Sequence, residues 1–93
     1  MIPPHFIDEL LSRTDLVDVV GARIDLKRTG QRFSALCPFH DERSPSFSVN
    51  QDKQFYHCFG CKSSGNAIKF IMEFDGLDFP TAVKSLSESV GLK

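Results

Sequence analysis

No run of apolar residues in this chain approaches the roughly 20 that a membrane-spanning helix needs, and the N-terminus lacks the basic and then apolar pattern of a signal peptide. A cytoplasmic protein with no membrane partner is the expectation. Cysteine is scarce: Cys37, Cys58 and Cys61 are three, an odd number that cannot all pair with one another. In a reducing compartment such a set points to metal rather than to disulfides. Tryptophan is absent, yet nine phenylalanines and a hydrophobic fraction of 41% speak against wholesale disorder. There is no internal repeat and no low-complexity linker. Catalytic signatures are missing as well: no glycine-rich phosphate loop precedes a helix, no Ser/His/Asp set is recommended by its spacing, and H-x-E with P-C-x-x-C does not occur.

What is present is small. At 93 residues the chain fits one domain, residues 1–93. A chain of this size buries only about 60% of the surface that its unfolded form exposes, so a staple beyond the hydrophobic core is expected. The formal net charge of -1 conceals an uneven distribution. Between Arg23 and Lys62 seven basic residues face four acidic ones, a net +3, while the flanks carry a net -4. Basic charge therefore gathers around the cysteines, as a polyanionic partner would require.

The pattern along the chain is helical, then alternating, then helical again. Phe6, Ile7, Leu10 and Leu11 share one helical face, and Thr14 or Asp15 starts a second short helix that Gly21 is placed to end in a left-handed conformation. From Ile24 the period becomes two, and "TGQ" turns one strand into another. A second hairpin runs from Ser46–Asn50 through "NQDK" into "QFYHC". The helical period returns with Ala67, Phe70, Ile71 and Phe74, and a last helix carries Phe79, Ala82, Val83, Leu86 and Val90 between Asp78 and Gly91. The expected fold is α+β: a small, zinc-ribbon-like antiparallel β-sheet with a Cys3His zinc site at one end, flanked by N-terminal and C-terminal α-helices.

Cys37-Pro38-Phe39-His40 and Cys58-Phe59-Gly60-Cys61 each place two ligands two residues apart, as a tetrahedral zinc site needs, and the 17 residues between them suffice for a strand, a turn and a strand. Pro38 fixes φ in the first turn, and Gly60 is expected to take a positive φ in the second. Four protein ligands leave no position for a catalytic water, so one Zn2+ would be structural. His57 competes with His40 for the fourth position, but neighbours on a strand point to opposite faces, which separates His57 from Cys58. His5 and the Asp41-Glu42 pair read as solvated groups.

The same alternation, with Phe47, Val49 and Cys58 inward, turns Phe55 and His57 outward near Ser34, Ser46 and Ser48, with Lys27 and Arg32 as neighbours. Such an aromatic, cation-edged platform suits single-stranded nucleic acid. Phe39, Phe47, Tyr56 and Phe59 are expected to pack around the knuckles instead, since a small domain has few other core residues.

The stretches "CPFHDERSPSFSV", "QFYHCFGC" and "GNAIKFIM", with "FIDELLSRTDLVDVVGARIDLKRTG" before and "LDFPTAVKSLSE" after, resemble the N-terminal zinc-binding domain of bacterial, DnaG-type DNA primases over nearly the whole chain. The resemblance implies zinc ligands Cys37, His40, Cys58 and Cys61 and a role in recognising the single-stranded DNA template on which RNA primers are made. It further implies a primase polymerase domain, in cis or in trans, that holds catalytic Mg2+, and a replicative helicase reached only through the full-length protein. The chain would then be a fragment of a longer enzyme and inert as a polymerase alone. Lys27, Arg28, Arg32, Arg43, Lys53, Phe55, His57 and Lys62 are the expected DNA-facing residues. The resemblance leads one to expect glycine after the last cysteine, where this chain has Lys62. The alternative from another class is a zinc-ribbon docking module that regulates primase assembly without binding DNA.

Overall fold

A computed structural model describes residues 2–30, 32–39 and 45–91. Helix α1 (Pro4–Arg13) begins with proline at its first position, where a missing N–H costs nothing. It stops at Thr14, whose hydroxyl donates back to the Leu10 carbonyl at 2.7 Å. Asp15 then caps α2 (Leu16–Gly21) by accepting from the Val17 N–H at 3.0 Å. The expected left-handed Gly21 is corrected. Gly21 is the last helical residue, and Ala22 follows with right-handed φ -73° and ψ -15°. The N–H groups of Ala22, Arg23 and Ile24 still reach the carbonyls of Asp18 and Val20, so the chain unwinds without a sharp reversal.

Five antiparallel strands follow in sequence order: β1 (Lys27–Thr29), β2 (Arg32–Ala35), β3 (Phe47–Asn50), β4 (Phe55–Cys58) and β5 (Ser64–Gly65). Their register sorts the side chains into two faces. Across one run Phe33, Val49, Tyr56 and Gly65, with Ala35, Phe47 and Cys58 in the next row. Across the other run Lys27, Ser34, Ser48, His57 and Ser64, with Asn50 opposite Phe55. Phe47, Val49, Tyr56 and Cys58 are wholly buried, while Phe55 is exposed.

The buried face is covered by helices from both ends of the chain. α3 (Ala67–Phe74) is capped by Asn66, which accepts from the Lys69 N–H at 3.0 Å, and α4 (Phe79–Ser89) by Asp78, which accepts from the Thr81 N–H at 2.9 Å. The Thr81 hydroxyl and N–H hold the Asp78 carboxyl below its ordinary pKa, as a cap carboxylate should be. Gly91 closes α4 at φ 73°, as the sequence suggested. Leu10, Leu16, Val20, Phe70, Ile71, Val83 and Leu86 complete one core with the inner sheet face. At its centre Phe39, Phe47, Tyr56 and Phe70 pack with ring centroids 5.3 to 6.2 Å apart. Edge-to-face and offset contacts of this kind add to the area term. Arg23 forks onto Asp75 at 3.0 to 3.3 Å and ties the end of α2 to the end of α3.

Tyr56 presents one polar atom to this core. Its hydroxyl is buried and meets no hydrogen-bond partner among the described residues, and burial followed by the Glu73 charge pushes its pKa up. Tyr56→Phe keeps the stack on Phe47 and removes an uncompensated polar group. Its stability in a denaturant titration should match or exceed the parent's by about 1 kcal/mol, whereas Phe70→Ala should cost about 3–5 kcal/mol. A large loss from Tyr56→Phe would show that the hydroxyl is bonded in solution.

Candidate metal centre and the opposite sheet face

Three cysteines meet at one end of the sheet because β2 and β4 both run toward it. Cys37 lies just past β2, Cys58 is the last residue of β4, and Cys61 sits in the turn beyond. Their thiols all lie within 4.8 Å of one another, and none is in a disulfide. Cys37 and Cys58 are buried and Cys61 is exposed. The Cys37 and Cys61 sulfurs are 3.7 Å apart. A Zn–S bond of about 2.3 Å implies a tetrahedron edge of about 3.8 Å, so the donor set and its spacing fit zinc. His40, and with it the Asp41-Glu42 pair and Arg43, lies outside the described residues.

Local backbone geometry shapes the knuckles. In the first, the Phe39 N–H donates to Cys37 Sγ at 3.4 Å. In the second, the Lys62 N–H reaches the Cys58 carbonyl at 2.9 Å, and the Cys58 N–H reaches the Ser63 carbonyl at 2.8 Å. The positive φ expected at Gly60 falls instead on Lys62, at 66°. The reversal comes after Cys61 rather than between the cysteines, so the residue that meets it is the lysine standing where many relatives were expected to carry glycine.

The thiols differ in acidity for reasons visible in the geometry. Burial pushes Cys37 up to about 12, against the Phe39 N–H, which opposes the shift. Cys61 is pulled down to about 7 by the Ser63 hydroxyl, 3.3 Å from its sulfur, and by the Ser63 N–H. Ser46 Oγ lies 3.6 Å from Cys58 Sγ. Two serines thus stand against the sulfur cluster.

On the opposite face, a depression of about 260 Å³ is lined by Arg32, Ser48, Asn50, Lys53, Phe55, His57 and Phe59. A second, of about 240 Å³, adjoins it across Arg32, Ser48 and Phe59 and is lined further by Ser34, Pro45, Ser46 and Phe47. Of the candidate DNA-facing residues, Arg32, Lys53, Phe55 and His57 are brought together here, and Lys27 lies in the row of Ser34, Ser48 and His57. Arg28 is not among them. It pairs with Phe33 in the other row and reaches over that ring, 5.9 Å from its centroid. Lys62 is exposed in the turn after Cys61, and His5 is exposed on α1.

Phe59 corrects the expectation that it packs around the knuckles. It is 57% exposed and meets His57 edge-on at 4.7 Å, whereas Phe39, Phe47 and Tyr56 do pack in the core. Its signal was in the sequence: counting by two from Phe55 through His57 reaches Phe59, one residue past the strand.

Fold and sulfur cluster together define a zinc-ribbon domain flanked by helices. The chain matches the CHC2 zinc finger of DnaG-type zinc ribbons over residues 2–93, and it belongs to that family. It is 55% identical to the DNA primase of Pseudomonas putida over 93 residues, 100% of this chain and 14% of that protein. With the DNA primase of Escherichia coli K12 it shares 56% over 86 residues, 92% of this chain and 15% of the other. A crystal structure of the Aquifex aeolicus primase, comprising zinc-binding and RNA polymerase domains, superimposes with a TM-score of 0.91 at 38% identity, over 95% of this chain and 22% of that one. The chain therefore spans about a seventh of the length of the curated relatives it matches.

Zinc takes up thiolates, so binding releases protons and affinity should fall as pH is lowered. Ser63→Ala removes the hydroxyl that favours the Cys61 thiolate. Zinc should then be held about 10-fold more weakly, with its acid release shifted to higher pH. Competition with a chromophoric chelator across a pH series measures both, and an unchanged affinity would count against the serine.

Proposed function

We propose that this chain is the zinc-binding, template-recognising domain, residues 1–93, of a DNA primase that makes RNA primers. In this reading Cys37, Cys58 and Cys61 with His40 hold one Zn2+. Four protein ligands would leave no open position for chemistry on a bound ion, so these residues would use it as the staple that a chain of this size needs. Primer synthesis and Mg2+ belong to a polymerase domain of the longer protein, in cis or in trans. A replicative helicase is met only through that longer protein, in the cytoplasm.

The observation that carries the reading is the gathering of Arg32, Lys53, Phe55, His57 and Phe59 around one depression, on the sheet face turned away from the core. Phe55 and Phe59 are 46% and 57% exposed, a cost in water that a bound base would relieve. Stacking of one base on such a ring contributes about 1–3 kcal/mol irrespective of sequence. Arg32, Lys53 and Lys27 supply charge for the backbone phosphates, and the hydroxyl of Ser48 offers a hydrogen bond to a base edge. Arg28 and Lys62 lie away from this depression and are expected to contribute through the general field only.

Fluorescence anisotropy of the zinc-loaded chain with short single-stranded DNA, over a salt series and beside a duplex control, tests the proposal. Single strands should be preferred, with affinity falling as salt rises. Arg32→Glu with Lys53→Glu should weaken binding at least 10-fold and flatten the slope of log K on log salt by about 1.4, the loss of two phosphate contacts. Phe55→Ala should weaken binding with the slope unchanged. Salt-independent binding, or none at the lowest salt, would favour the docking module.

A further inference from the structure

We propose that Asp15, Gln51 and Gln54 form a clamp that positions the β3–β4 turn, and so Lys53 and Phe55, for the single-stranded template; the inference rests on the template reading above. Gln54 lies in the left-handed region at φ 54°, which glycine enters freely and glutamine does not. Its side chain shows what that conformation achieves. Gln54 Oε1 accepts from the Leu16 N–H at 2.5 Å, while Nε2 donates to the Gln51 carbonyl at 2.6 Å and to Asp15 Oδ1 at 3.5 Å. Gln51 Nε2 donates to the other Asp15 oxygen at 2.9 Å. The carboxylate that caps α2 therefore also anchors a turn 36 to 39 residues later in the chain.

Turn formation alone does not require this arrangement. Asn50 already closes the turn by accepting from the Lys53 N–H at 3.1 Å, and a glycine at position 54 would adopt the same φ without strain. The clamp adds a fixed attachment of the turn to α2, a helix whose Leu16 and Val20 are fully buried. Lys53 and Phe55 flank Gln54 directly, and both line the depression with Arg32. Strained residues held by surrounding bonds are where function tends to be stored, and here the strain sits between the two groups that would meet phosphate and base. Asp15, Gln51 and Gln54 are thus positioning residues, acting through Lys53 and Phe55 rather than on DNA.

The test is binding of a mixed-sequence single-stranded 12-mer to the zinc-loaded chain, with melting and zinc content measured in parallel. Gln54→Gly keeps the φ and removes the bonds of Gln54 to Leu16, Asp15 and Gln51; it should weaken binding about 5-fold and flatten the salt slope by about 0.7, as Lys53 loses its phosphate. In a Lys53→Ala/Phe55→Ala background the same change should have no further effect, a non-additivity that a merely structural role would not produce. Asp15→Asn, which still caps α2 but withdraws an acceptor from Gln51, should weaken binding about 3-fold should Gln54→Gly prove unstable. Parental affinity in Gln54→Gly or Asp15→Asn, or full additivity with the double variant, overturns the clamp alone when Arg32→Ala still loses binding. Failure of the parent chain to bind single strands overturns the template reading and the clamp with it.

Discussion

Phe47 stands opposite Cys58 in the β3–β4 pair, and nearly everything else in the molecule depends on that register. It puts Cys58 on the buried face beside the aromatic cluster, where β4 ends within reach of Cys37 and Cys61. A slip of one residue would exchange Cys58 for His57 and turn Tyr56 into solvent. The metal site and the outer face are therefore two results of one pairing. Aromatic packing enforces it, because Phe47, Tyr56 and Phe70 can meet at 5.3 to 6.0 Å only when all three lie on the same side.

β4 carries this double load between two non-glycine residues with positive φ, Gln54 before it and Lys62 shortly after. Left-handed backbone costs roughly 1–2 kcal/mol for an L-residue. At Gln54 the cost is offset by hydrogen bonds to the start of α2, and at Lys62 by the bond from its N–H to the Cys58 carbonyl. Both ends of the strand are held in place by contacts that a relaxed turn would not make. The two ends position different groups: the sulfur donors converge at one, and Lys53 and Phe55 come to line one depression at the other.

The staple and the core are also one structure. Phe39 belongs to the first knuckle, yet its ring contacts Phe47, Tyr56 and Phe70. Gathering the cysteines therefore draws the aromatic cluster together, and packing the cluster gathers the cysteines. In a domain with a core this small, that coupling lets a structural metal contribute folding free energy directly. It also gives a physical reason for a family match that runs from residue 2 to residue 93 rather than covering the knuckles alone: the helices bury the same face that holds the sulfurs.

Much was legible in the sequence because it is written in short-range chemistry. The change from helical to alternating period placed the hairpins, the Thr14-Asp15 pair and Asp78 announced the starts of α2 and α4, and C-x2-H with C-x2-C announced a metal site. Alternation also put Phe55 and His57 on one face of their strand, and the β3–β4 register then made that face the outer one. What only the tertiary structure decided were outcomes that depend on neighbours remote in sequence. Gly21 and Gly60 needed no left-handed turn because the chain reversed elsewhere, at Lys62 in the second knuckle. Arg28 went to the other face because β1 is registered by β2, three residues at a time. Phe59, by contrast, continues the outward alternation of Phe55 and His57 one residue past β4, a signal the sequence carried. The bonds from Asp15 to Gln51 and Gln54 join segments whose local patterns carry no trace of one another, since a side-chain hydrogen bond across 36 residues is set by where the packed helices and strands bring its ends.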